Sequence, residues 1–89
     1  MSKFSLGRVV ATPGSLSELE RLCVNPVVLI GRHAALERGS LDPEDHERNQ
    51  QAVVDGSRVF SSFVYSGVKF WVITEWDRSV TTILLPEEY

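Results

Sequence analysis

The last third of the chain consists of short runs in which β-branched and aromatic residues dominate, a pattern that is typical of β-strands. Three such runs, rich in Val, Phe, Tyr, Trp and Ile, are separated by Ser66-Gly67 and Asp77-Arg78. A two-residue loop that contains glycine is a strong signal for a β-hairpin. The pattern therefore predicts an antiparallel meander of three strands over residues 58–85.

The Ser66-Gly67 turn also predicts which residues face each other in the first hairpin, and this register divides the side chains between two faces. One face is almost entirely apolar and is expected to form the core. The opposite face, called the mixed face below, combines large apolar residues with charged ones. Its members are Arg58, Phe60, Lys69, Trp71, Ile73, Glu75 and Leu84. Arg58 is expected to lie across from Glu75, and opposite charges in such positions contribute up to about 1 kcal/mol.

Upstream of the meander the sequence predicts one more strand, from Phe4 to Ala11. Gly7 lies inside this run and indicates a bulge or a close approach of another backbone segment. The strand is expected to end at the breaker Thr12-Pro13-Gly14.

Three short helices are predicted between this strand and the meander, each opening at a capping signal. Ser15 with Glu18 has the form of a capping box, Asn25-Pro26 opens the second helix, and Asp42-Pro43 opens a third that ends at Gly56. The expected buried stripes are Leu16, Leu19 and Cys23 in the first helix and Val27, Leu29, Ile30, Ala34 and Leu36 in the second.

The element order predicts an α+β fold in one domain, residues 1–89. The antiparallel C-terminal meander is expected to be joined by the N-terminal strand, either at its edge or in its centre. The three helices lie between the first and second strands in the sequence and are expected to pack on one face of the sheet.

Charge and hydropathy narrow the classes of function. The net charge of −3 argues against broad contact with a phosphate backbone, which requires clustered Lys and Arg. The single cysteine allows no internal disulfide, and no apolar run is long enough to span a membrane. We therefore expect a cytoplasmic protein without membrane contact.

His33, His46 and Cys23 are the residues best suited to bind a metal or to act as a nucleophile. A zinc site needs three or four ligands at compatible spacing, and the sequence contains neither CxxC nor HxxxH. Cys23 falls on an apolar stripe, where a small buried side chain is the ordinary interpretation. We expect no metal, no cofactor, structural or solvated roles for both histidines, and a protein that is not an enzyme.

The mixed face is the feature that points most clearly to a function. Trp71 and Phe60 have the character of anchors in a protein interface, with Lys69, Arg58 and Glu75 as a polar rim. The leading hypothesis is a surface for an unknown protein partner or for self-association. The chain itself could instead cover this face. Nucleic acid is a third hypothesis, because aromatic side chains on a sheet can stack on bases.

The C-terminal segment Pro86–Tyr89 is expected to lie beyond the last strand, because proline cannot extend a central ladder. The Tyr89 ring is expected to pack back on the domain. Glu87 and Glu88 would then form an acidic edge of the contact surface.

The segments LGRVVATPG, LDPEDHERNQQA and WVITEWDRSVTTILLPEEY resemble a family of short uncharacterised bacterial proteins associated with plasmids, integrative elements and chromosomal islands. The resemblance implies a bacterial cytoplasmic protein from a mobile-element context and supplies no catalytic or binding residues. It also favours the alternative function, a nucleic-acid-associated accessory protein that binds single strands or serves restriction or defence. The sequence has no NPPY-like or SAM-binding glycine motif that would support a restriction-modification role.

Overall fold

The structure, a computed structural model, describes residues 4–89 and confirms the predicted α+β class. Residues 1–3 of the expected domain lie outside the described part. The elements in chain order are β1 (Arg8–Ala11), α1 (Pro13–Arg21), α2 (Pro26–Ala34), α3 (Pro43–Asp55), β2 (Val59–Tyr65), β3 (Val68–Thr74), β4 (Val80–Leu84) and a final 3₁₀ turn (Pro86–Glu88). Within residues 4–89, no helix is long and apolar enough to cross a membrane.

The four strands form one sheet in the order β1-β4-β3-β2. β2, β3 and β4 are antiparallel neighbours, and the predicted register of the first hairpin is confirmed, from Tyr65 opposite Val68 to Val59 opposite Thr74. Ser66 has φ 50° and Gly67 has φ 78°, the left-handed conformations that a tight hairpin turn requires. β1 joins at the edge and runs parallel to β4.

β1 begins at Arg8, so the predicted strand start at Phe4 is wrong. Gly7 ends the extended run on the N-terminal side, because its φ of 63° is left-handed. A Cβ at this position would overlap the carbonyl oxygens of Arg78 and Ser79, so the predicted close approach of backbone at Gly7 is confirmed. The chain before β1 is held by the Thr81 hydroxyl, which donates to the carbonyl of Leu6.

All three helices begin with the same device, a capping residue followed by proline. The caps are Thr12, Asn25 and Asp42, whose side chains accept from the N–H groups of Ser15, Val27 and Asp45. The prediction that Ser15 caps α1 is therefore wrong. Its buried hydroxyl lies 2.9 Å from the carbonyl oxygen of Thr12 and 3.0 Å from that of Ile83, and the hydrogen bond to Ile83 fastens α1 to β4.

α1 and α2 pack on the core face of the sheet, but they are rotated relative to the predicted stripes. Leu16 is 46% and Val27 71% exposed, and Cys23 is exposed with φ 56°, just beyond α1. The inward residues are Ser15 and Leu19 in α1 and Leu29, His33 and Ala34 in α2. The core cluster consists of Leu19, Leu29, Phe63, Phe70, Val72, Ile83 and Leu85.

α3 lies against the outer edge of β2. The Asn49 side chain accepts from the N–H of Phe60 at 2.9 Å and donates to its carbonyl, so it occupies both backbone groups as a neighbouring strand would. The loop before α3 adds a bond from the Ser40 N–H to the carbonyl of Ser62 at 2.7 Å. This part of the β2 edge is therefore closed to other strands.

Candidate functional site

The structure separates the seven mixed-face residues by their exposure. Arg58 and Lys69 are exposed, while Phe60, Trp71 and Glu75 are partly exposed. Ile73 and Leu84 are 3% and 6% exposed, so their side chains serve packing. α1 and α2 pack on the opposite face of the sheet, and the C-terminal segment contacts the mixed face. A contact surface on the mixed face therefore consists of its five exposed or partly exposed residues, together with the C-terminal segment.

Three aromatic rings form a row on the mixed face, called the aromatic row below. The ring centroids of Phe60 and Trp71 are 4.9 Å apart, and those of Trp71 and Tyr89 are 5.8 Å apart, both in edge-to-face arrangement. Such pairs contribute about 0.5–1.5 kcal/mol beyond the burial of their area. Tyr89 remains 71% exposed. The row is thus ordered by its own contacts while keeping apolar surface in solvent.

Arg58 holds the outer end of the aromatic row. Its Nη1 donates to the Tyr89 hydroxyl at 3.0 Å, and its guanidinium carbon lies 5.9 Å from the ring centroid. The expected pairing of Arg58 with Glu75 is absent from the ion pairs of residues 4–89. The β2–β3 ladder ends at Val59 opposite Thr74, so the two charged residues lie just beyond the register that would align them.

Glu88 attaches the C-terminal segment to the rest of the fold. Its carboxylate accepts from the Thr12 hydroxyl, from the N–H of Gly14 in the first turn of α1, and from the N–H of Leu85. The Thr12 hydrogen bond, with smaller contributions from the backbone, lowers the pKa of Glu88 below its ordinary value. The predicted docking of the tail is confirmed, but Glu88 faces the positive end of the α1 dipole and forms no edge of the contact surface.

Glu88→Ala is expected to lower the melting temperature at neutral pH and to change Trp71 fluorescence, because the released tail carries Tyr89 away from Trp71. The matched control is Glu87→Ala, since Glu87 is exposed and forms no hydrogen bond or ion pair within residues 4–89. Thermal unfolding followed by fluorescence checks both. Equal melting temperatures and equal spectra for the two variants would show that the tail is held by something other than Glu88.

A cleft of about 540 Å³ continues the aromatic row toward α3, and it is called the α3 cleft below. Its lining residues are Asp45, Arg48, Asn49, Gln51, Ala52, Asp55, Ser57, Arg58 and Phe60. Phe60 belongs to both the row and the cleft, and Arg58 lines the cleft while it donates to Tyr89, so the row and the cleft form a continuous surface. Sequence reasoning missed the cleft because it exists only where Asn49 docks α3 on the edge of β2, a long-range contact without a local pattern.

The second candidate is a buried polar network around His33, on the core face. The ring bonds to Ser61 Oγ through Nδ1 at 2.7 Å and to Thr74 Oγ1 through Nε2 at 2.8 Å. Thr74 continues the network to Thr81, which donates to the Leu6 carbonyl. Burial, with the nearby charge of Arg78, lowers the pKa of His33 to about 4. The ring is therefore neutral at neutral pH.

The His33 network contains the hydroxyl groups and the imidazole that a nucleophile and its base would need, but a substrate cannot reach them. His33, Ser61 and Thr74 are each 0% exposed, and a nucleophile must touch its substrate. Every buried side-chain polar atom in the described part of the chain has a hydrogen-bond partner. The network therefore serves to connect α2 with β2 and β3, which is the structural role expected of His33.

Three other features bear on chemistry. Among the side chains of residues 4–89, no group of three or more His, Cys, Asp or Glu is placed to hold a metal ion. Cys23, predicted to be buried, is exposed at the end of α1. His46 contacts the Leu36 carbonyl through Nε2 at 3.0 Å, which ties α3 to the end of α2.

Comparison with protein-family models, curated proteins and solved structures finds no match to this chain. The geometry of the chain itself places the aromatic row and the α3 cleft beside each other, with Phe60 shared between them.

Proposed function

We propose that the protein is a non-catalytic interaction module of the bacterial cytoplasm, from a mobile-element context, and that it binds a protein partner through the aromatic row and the α3 cleft. The observation that carries the proposal is the aromatic row itself. Phe60, Trp71 and Tyr89 keep apolar surface in solvent, although Arg58 and the hydrogen bonds of the Glu88 carboxylate hold them in one arrangement. Large rings already fixed before binding lose little conformational entropy in a complex.

The chemistry of the surface suggests what the partner presents. An apolar side chain would enter the α3 cleft against Phe60 and Ala52, the two apolar residues of a lining that is otherwise polar. Exposed cations, Arg58 and Lys69, lie along the row and favour carboxylates next to that anchor. Asp45 and Asp55 also line the cleft; Asp45 already pairs with Arg48, so Asp55 is the carboxylate that favours a cation there. The proposed partner segment is therefore apolar at its centre and charged at its ends.

A photo-crosslinking amino acid at position 69 tests the proposal. Lys69 is exposed on the mixed face, so its replacement leaves the fold intact while placing the crosslinker beside Trp71. The control position is Glu20, which is exposed on α1 on the opposite side of the sheet. In bacterial lysate we expect a discrete product from position 69 and none from position 20. Products of equal yield from both positions, or no product from position 69, would contradict the proposal.

A nucleic-acid-associated role is the second candidate, favoured by three aromatic rings on a sheet with Arg58 and Lys69 alongside. The net charge of −3 opposes it. Fluorescence anisotropy with a single-stranded oligonucleotide, repeated over a range of salt concentrations, separates the two candidates. Phosphate contacts make affinity fall steeply with salt, whereas a protein partner need not. We expect no specific binding. Salt-dependent binding that is lost in Trp71→Ala would favour the nucleic-acid role.

A further inference from the structure

The two edges of the sheet differ in whether other parts of the fold occupy their outward backbone groups. On the β2 edge, Asn49 occupies both backbone groups of Phe60, and Ser40 occupies the carbonyl of Ser62. On the β1 edge, within residues 4–89, no such cover is present. An uncovered strand edge is a template for pairing with another chain. The fold thus closes one edge with dedicated side chains and leaves the other open.

The hydrogen bonds of β1 show which groups face outward. The N–H groups of Arg8 and Thr12 donate to Ser79 and Ile83 on the β4 side. Because backbone groups alternate in direction along a strand, those of Val9 and Ala11 point to the open edge. The Val9 side chain is 46% exposed on the helix-bearing face, so an apolar side chain also remains uncovered there.

We propose that β1 pairs antiparallel with β1 of a second copy of this chain, which joins the two sheets into one of eight strands. A two-fold axis through Val10 places Val9 of each copy opposite Ala11 of the other. Each such pair exchanges two hydrogen bonds, so the edge gains about four backbone hydrogen bonds. The contact is isologous and closed, since the same five residues, 8–12, serve on both sides. This surface is distinct from the aromatic row.

Charge complementarity favours a second copy as the occupant. The same register places Arg8 opposite Thr12 of the other copy, and the hydroxyl of Thr12 holds the carboxylate of Glu88. Arg8 is exposed and forms no ion pair within residues 4–89, and Glu88 is exposed as well. Arg8 and Val10 lie on the mixed-face side of β1, where the C-terminal segment also lies. Each dimer therefore gains two ion pairs between copies, one at either end of the joined strands.

Sedimentation equilibrium over a wide range of protein concentrations tests the proposal. We expect the wild-type chain to dimerise reversibly and the association to weaken with added salt. Val9→Pro removes a donor that points outward and leaves the β1–β4 ladder unchanged, so it is expected to prevent dimerisation in a folded protein. Val64→Pro is the matched control, because the backbone N–H of Val64 points outward from the opposite edge of the sheet. Dimerisation of this variant is expected to be unchanged.

Arg8→Glu is the second variant and does not depend on proline being tolerated. It replaces attraction by repulsion at both ends of the joined strands, and we expect the dissociation constant to rise about tenfold or more. Circular dichroism checks that each variant is folded. A wild-type chain that stays monomeric at all concentrations would overturn the proposal. So would a folded Val9→Pro that dimerises normally, or an Arg8→Glu with an unchanged dissociation constant.

Discussion

Phe70→Ala is expected to lower the free energy of unfolding by about 3–5 kcal/mol, the usual cost of truncating a buried phenylalanine. Phe70 is 0% exposed and lies in the core cluster, across the first hairpin from Phe63. The cavity would open between the sheet and α1 and α2, where the packing joins all three elements. Since small domains are stable by only about 5–15 kcal/mol, this single change removes a large part of the total.

Urea unfolding followed by circular dichroism measures the effect of Phe70→Ala. The matched control is Trp76→Ala, which removes a larger aromatic ring that is 69% exposed in the β3–β4 turn. We expect the control to change stability by less than about 0.5 kcal/mol, as is usual for surface positions. Equal losses in the two variants would contradict the assignment of the core face.

Acidification is expected to remove about 3 kcal/mol of stability between pH 6.5 and pH 4 through His33 alone. The unfolded ring binds its proton near pH 6.5 and the folded ring near pH 4, so the unfolded state holds more protons in this window. The free energy of unfolding therefore falls as the pH falls. The stabilisation that depends on the neutral His33 ring is fully present above pH 6.5. The size follows from about 1.4 kcal/mol for each pH unit between the two pKa values.

Urea unfolding at several pH values, for the wild type and His33→Gln, isolates this contribution. The variant keeps polar contacts but does not titrate, so we expect its stability to change much less over this window. The carboxylates of Asp77 and Glu88 also have lowered pKa values, and their contributions are lost at lower pH. NMR titration of the folded wild type adds an independent readout. A His33 ring that protonates near pH 6.5 in the folded protein would show that the network does not exclude the charge.

The meander could be predicted in detail because its signals are local. The Ser66-Gly67 turn fixes the register by itself, and the alternation of the flanking runs then places every side chain on its face. The predicted pairs Phe63 with Phe70 and Ser62 with Trp71 are confirmed. The edge position of β1 and its parallel pairing could not be predicted from local sequence signals, because they depend on how the helices return the chain to the sheet.

The helix faces were harder to predict because polar residues occupy the core. His33 and Ser15 are both 0% exposed, but a buried helix face that is inferred from apolar residues alone does not include them. Each is acceptable inside the fold because its polar atoms are hydrogen-bonded to the sheet. Asn49 is buried for the same reason, since it completes the edge of β2.

The candidate site was predicted only in part. Alternation placed Phe60, Trp71 and Lys69 on one face, and the structure keeps all three at least partly exposed. Burial of Ile73 and the docking of α3 arise from tertiary packing, which no short stretch of sequence encodes. The signal for Tyr89 was its amphipathic ring behind a proline, and the ring does pack on Trp71.

NMR mapping with the partner identified by crosslinking shows whether the aromatic row is the binding surface, because the chain carries an internal control. It has two tryptophans, and each gives one indole N–H signal. Trp71 lies in the aromatic row, whereas Trp76 is exposed in the β3–β4 turn. We expect the partner to shift the signals of the Trp71 indole and of the Lys69 and Tyr89 amides and to leave the Trp76 signal unchanged. Shifts confined to Trp76 or to the exposed faces of the helices, with Trp71 unaffected, would show that the partner binds elsewhere.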